Sequence, residues 1–151
     1  MNTGIKLFSL ISFKVEQVTD KPVLFKHGDK VDFDSRIMIC PSPSGLLELA
    51  KQAHADDVEL TNFEIISTIS YIEKEKRMAL KGFYSLVPEQ KEGTIGLYEI
   101  TNHFEMGTDA LPEDINQRGG YLALSVQWAT QGNHRYTGDI ADVPLPIYER
   151  S

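Results

Sequence analysis

The sequence predicts an α+β domain dominated by β-structure: an antiparallel sheet of four or more strands, with one or two helices packed on it. Two observations carry this. Residues 63–71 and 122–128 alternate apolar and polar side chains with a period of two, the pattern of half-buried strands. Between strand patterns, Pro41-Ser42-Pro43-Ser44-Gly45 interrupts extension and opens a helical spacing. A chain of 151 residues can bury one core without staples. No repeat, low-complexity tract or linker divides it, so a single domain over 1–151 is expected.

The elements follow in order. Residues 5–18 read as a first strand, in which Ile11, Phe13 and Val15 share one parity while Phe8 and Leu10 have the other. A switch of parity inside one strand predicts a bulge near Leu10-Ile11. After a turn at 19–22, Val23 to Phe25 resume extension, and His27-Gly28-Asp29 turn again. Val31 and Phe33 alternate with Asp32 and Asp34 in a strand running to Cys40. Ser42 or Ser44 caps the helix, whose apolar stripe is Leu46, Leu47, Leu49, Ala50 and Ala53, and Asp56-Asp57 end it.

The β-branched run 58–72 is the strongest strand signal in the chain. Residues 73–76 suit a charged hairpin tip, although 73–81 also contains strong helix formers. A loop at 88–93 precedes a strand over 94–104, with Tyr98, Ile100 and Phe104 on one side. Residues 108–116 read as a loop with one helical turn started by Pro112. Residues 121–130 alternate strictly and Gly132-Asn133 suits a tight turn, which predicts a hairpin with a return strand over 134–140. A helix over 121–130 is the competing reading. The prolines of the tail, Pro144 and Pro146, confine it to an edge or an extended arm. The expected core contains Phe13, Val15, Phe63, Ile65, Ile69, Tyr71, Leu97, Leu122, Leu124 and Trp128.

Charge is the most informative compositional feature. The net charge is −7, yet 92–117 contains no Lys or Arg while Glu92, Glu99, Glu105, Asp109, Glu113 and Asp114 are all acidic. Elsewhere 15 cations meet 16 acids, close to balance. A nucleic-acid binder presents the opposite field. The segment is either a solvated face that aids solubility or a surface that attracts a basic partner. In the second case Glu105, Asp109, Glu113 and Asp114 are the candidate partner-binding residues.

Chemical motifs are few. His27, His54, His103 and His134 are scattered without metal-ligand spacing, and the His54-Ala55-Asp56-Asp57-Val58-Glu59 cluster reads as a helix end meeting a turn. His103 reads as a solvent-facing strand residue. Cys40, the single cysteine, reads as a structural thiol and rules out an internal disulfide framework. The nucleophile-elbow, phosphate-loop and dinucleotide signatures are missing, and Gly93-Thr94-Ile95-Gly96 leads into a strand rather than a helix. No catalytic residue, metal ligand or cofactor is therefore expected. The apolar opening stretch is far shorter than a membrane span needs, which points to a cytoplasmic protein with no membrane partner.

The succession of Tyr98-Glu99-Ile100-Thr101-Asn102-His103-Phe104-Glu105-Met106-Gly107, then 121–132, then Val143-Pro144-Leu145-Pro146-Ile147-Tyr148 resembles the SecB-type export chaperones. In that family a strand ending in an aromatic and a glycine precedes a helix, and a Pro-rich apolar segment follows. Gly119-Gly120 stands where the family has an aromatic-proline helix entry. The resemblance covers the last third of the chain and implies a helix over 121–130, polypeptide binding and a homo-oligomer. Three readings of function follow. One is a non-enzymatic protein-binding domain, with SecB-like chaperones as its type. The second is an acidic immunity protein or antitoxin that covers a basic toxin. The third is an enzyme or ligand binder whose site assembles only in space.

Overall fold

The computed structural model describes residues 2–16, 23–60, 62–86, 97–132 and 134–150. The expected turns at 19–22 and 88–93, Glu92, the stretch 94–96 and Asn133 lie outside the described residues. The elements are β1 (Phe8–Glu16), β2 (Val23–Phe25), β3 (Lys30–Pro41), α1 (Pro43–Ala55), β4 (Phe63–Glu73), β5 (Lys76–Leu86), β6 (Tyr98–Gly107), α2 (Ile115–Arg118), β7 (Tyr121–Thr130), β8 (Thr137–Pro144) and β9 (Ile147–Glu149).

They form an antiparallel four-stranded sheet in the order β5-β4-β7-β8, an antiparallel three-stranded sheet β1-β3-β6, and a parallel pair β2-β9. The two larger sheets face one another as a sandwich and meet along both sides, where β1 adjoins β8 and β5 adjoins β6. Aromatic rings join the layers, Phe8 meeting Phe63 edge-on at 6.1 Å and Phe83 meeting Phe104 at 4.7 Å, and within the four-stranded sheet Phe63 meets Trp128 at 6.1 Å. In the same interior, Ser85 Oγ donates to Asn102 Oδ1 at 3.2 Å and Asn102 Nδ2 donates to Ser67 Oγ at 3.4 Å.

The alternation rules hold where side chains are inward. Ile65, Ile69, Tyr71, Leu122, Leu124 and Trp128 are buried, whereas Phe13, Val15 and Phe63 are only partly so. Leu97 is 49% exposed, contrary to expectation, because it shares its parity with Glu99 and Thr101 on the outward face. The β1 bulge falls between Leu10 and Ser12; its extra residue, Ile11, is turned out and 55% exposed. Residues 73–76 form the hairpin tip, with Lys74 at a φ of 57°. Residues 121–130 are a strand paired to β4 and β8, not a helix. Pro144 ends β8 at the sheet edge, and the rest of the tail reaches β2, where Val23 N donates to Pro146 O at 3.1 Å.

Helix α1 starts at Ser42, whose Oγ accepts from Gly45 N at 3.2 Å, with Pro43 at its first position. Its buried stripe is Gly45, Leu49 and Ala53. That is narrower than expected, because Leu46 and Leu47 are exposed. The stripe begins with a glycine because the N-terminal segment crosses it: a Cβ at Gly45 would stand 2.2 Å from Lys6 O and 3.2 Å from Leu7 Cα. Alanine gains about 0.5–1 kcal/mol over glycine in a helix, but here it meets backbone that has no rotamer to adopt. Gly45→Ala is expected to destabilise by roughly 1–3 kcal/mol. A urea midpoint equal to or above that of the parent protein would contradict this.

Candidate partner-binding surface

The connection from β6 to β7 carries most of the acidic segment, and several hydrogen bonds pin it in place. Buried Thr108 donates through Oγ1 to Asp29 O at 2.8 Å and accepts from Gly28 N at 2.8 Å, tying the connection to the β2–β3 turn. His27 Nε2 donates to Leu111 O at 2.8 Å. Leu111 and Ile115 are buried and anchor the segment in the apolar interior. Ile115 N donates to Glu149 Oε2 at 2.9 Å, and Asn116 Nδ2 donates to Glu149 O at 2.9 Å. Asp114, at a φ of 58°, and Gly119, at 74°, bend the chain into and out of the short helix α2.

The next cation along the chain, Arg118, is already engaged. Its Nε and Nη2 donate to the two oxygens of Glu73 at 2.5 and 3.1 Å, and Tyr71 Oη donates to the same carboxylate at 2.9 Å. The Arg118 hydrogen bond, followed by the Tyr71 one, holds the Glu73 carboxyl down to about 2. Burial, and then the Glu73 hydrogen bond, pushes the Tyr71 hydroxyl up. Gly120 lies against this ring, since a Cβ there would stand 2.1 Å from Tyr71 Oη.

Asp109, Glu113 and Asp114 therefore stand exposed on a fixed connection, and among the described residues none of them joins an ion pair. Glu105 is different. It lies on the outward face of β6, pairs with Lys30, and its backbone carbonyl accepts from Lys81 Nζ at 2.8 Å. Glu99 is likewise paired, with Arg36 Nε at 3.0 Å. Among the described residues of the segment, the strand acids are thus neutralised across strands, and the loop acids are not.

His134 and His103 also acquire partners that the sequence did not reveal. His134 Nε2 lies 2.6 Å from Glu64 Oε2, and its ring stacks on Tyr84 with centroids 5.8 Å apart. His103 faces Asp32 and Asp34 of β3. Their only sequence signal was the outward parity of Asp32 and Asp34, and it needed the β3–β6 register to become meaningful. In the 54–59 cluster, Asp56 Oδ2 accepts from Tyr136 Oη at 2.5 Å and from Gln52 Nε2 at 3.0 Å, so the cluster ties the end of α1 to the segment before β8. The Tyr136 hydrogen bond lowers the Asp56 carboxyl and raises the Tyr136 hydroxyl.

Among the described residues, no group of three or more His, Cys, Asp or Glu side chains is arranged to hold a metal ion. Half-buried Cys40 directs Sγ to Pro41 O at 3.6 Å. An open groove of about 360 Å³ lies beside the Asp56–Tyr136 tie, lined by Val58, Glu59, Leu60, Thr130 and Arg135 among others. No helix among the described residues is long and apolar enough to cross a membrane. No protein-family description matches the chain, and no curated protein does.

Proposed function

We propose that this β-sandwich is a non-enzymatic protein-binding domain whose acidic β6–β7 connection meets a basic protein partner, in the manner of an immunity protein or antitoxin. One observation carries the reading. Asp109, Glu113 and Asp114 stay exposed on a connection fixed at Thr108, Leu111, Ile115 and Asn116, while its cation Arg118 is held by Glu73. Charges fixed in advance of encounter steer a partner of opposite sign without first having to be ordered.

Rim charges act on association rate and its salt dependence more than on the fold. The variant with Glu105, Asp109, Glu113 and Asp114 replaced by Asn or Gln is expected to associate more slowly with a basic partner captured from lysate. Its rate should also vary less between about 20 mM and about 300 mM salt. An unchanged rate at low salt, or capture of an acidic partner, would overturn the reading.

A second reading, polypeptide holding by a SecB-like oligomer, draws on exposed aromatic surface. Tyr84 is 66% and Tyr121 44% exposed, both on the outer face of the four-stranded sheet. Against it, the segment for which the resemblance implies a helix is strand β7.

A further inference from the structure

The register of β3 and β6 places Asp34 opposite His103 and Asp32 opposite Glu105, all on the outer face of the three-stranded sheet. The imidazole reaches both aspartates of β3. Nδ1 lies 2.5 Å from Asp34 Oδ1, and Nε2 lies 2.8 Å from Asp32 Oδ1. A neutral imidazole has one N–H and one lone pair, so with a carboxylate at each nitrogen it must turn the lone pair towards an anion. Only the imidazolium donates to both.

We infer that Asp32, His103 and Asp34 form a proton-operated clamp between β3 and β6, closed while His103 is charged and released when it loses its proton. The surrounding charges set its balance. From β5, Lys81 opposes the charge on His103, although its ammonium group is committed to Glu105 O. From β6, Glu105 is paired with Lys30, and Glu99 with Arg36. From β1, Lys14 stands opposite Arg36, one position beyond the aspartates on this face. Two carboxylates in hydrogen-bond contact outweigh both the desolvation of the ring and the opposing Lys81. The Asp34 hydrogen bond is the largest contribution, and with the charges of both aspartates it holds the imidazole above its ordinary value.

The sign of the pH effect follows. A folded-state value above the unfolded one of about 6.5 means that the clamp stabilises below that pH and its contribution fades as pH rises through the folded value. Release leaves the outer face one charge more negative, beside the partner surface proposed above but independent of it.

The test is ring NMR on the full chain, with His103 assigned by comparison with His103→Gln. His103 is expected to titrate above about 6.5 with both ring nitrogens protonated below that point. Asp34→Asn and Asp32→Asn should each lower the value, and the double variant should return it to the ordinary range. In melting experiments the parent protein should exceed His103→Gln at about pH 5.5, with the gap closing by about pH 9. The clamp is refuted if His103 titrates at or below the ordinary value, if the aspartate variants leave it unmoved, or if the melting gap is the same at both pH values.

Discussion

Replacing Trp128 with alanine is expected to cost roughly 3–5 kcal/mol. The side chain is fully buried, lies opposite Ile65 in register, meets Phe63 edge-on, and donates through Nε1 to Ile5 O at 3.3 Å. Truncation opens a cavity between the sheets and also removes the donor from a carbonyl of the N-terminal segment. Trp128 is the only tryptophan, so unfolding of the variant must be followed by circular dichroism. The indole also dictates its neighbour. A Cβ at Gly138, the residue facing it on β8, would stand 2.3 Å from Nε1 and 2.5 Å from Cε2. Gly138→Ala should therefore destabilise the parent protein and do much less in Trp128→Ala, a coupling of about 0.5–3 kcal/mol. Additive losses would show that the ring does not set the need for glycine.

Ile65→Ala is expected to cost roughly 2–5 kcal/mol, since Ile65 is fully buried on the central strand β4 between Ser85 of β5 and Trp128 of β7. Leu97→Ala is the informative contrast. It removes a side chain of the same size from an outward position and should change stability by no more than about 0.5 kcal/mol. Equal losses in urea denaturation would contradict the assignment of inner and outer faces.

These two residues also mark how far the sequence could be read. Alternation identified β4 and β7, and Ser42, Pro43 and the polar turn at 56–57 bounded α1, because those signals are local. Hydrophobicity alone points Leu97 inward, whereas the parity of Tyr98 and Ile100 assigns it outward. Leu111, Ile115 and Tyr136 are buried from irregular segments and α2, where no period announces an inward side chain. The division into two sheets was hidden because strand partners such as Ser35 and Asn102 lie far apart in sequence. The acidic segment was visible as composition. Which of its acids remain unpaired was not, since Lys30 reaches Glu105 and Arg36 reaches Glu99 only through the β3–β6 register.

The parallel pair of β2 with β9 has a consequence for synthesis. Val23, Leu24 and Phe25 find their strand partners in Ile147, Tyr148 and Glu149, and Thr3 N donates to Thr137 O at 2.9 Å. Strand β2 thus waits for β9, far along the chain, a non-local pairing of the kind that forms slowly. Until residues 147–149 have been made, the buried faces of Val23 and Phe25 stay without their strand partner. Vectorial synthesis leaves this seam to be joined only after residues 147–149 emerge.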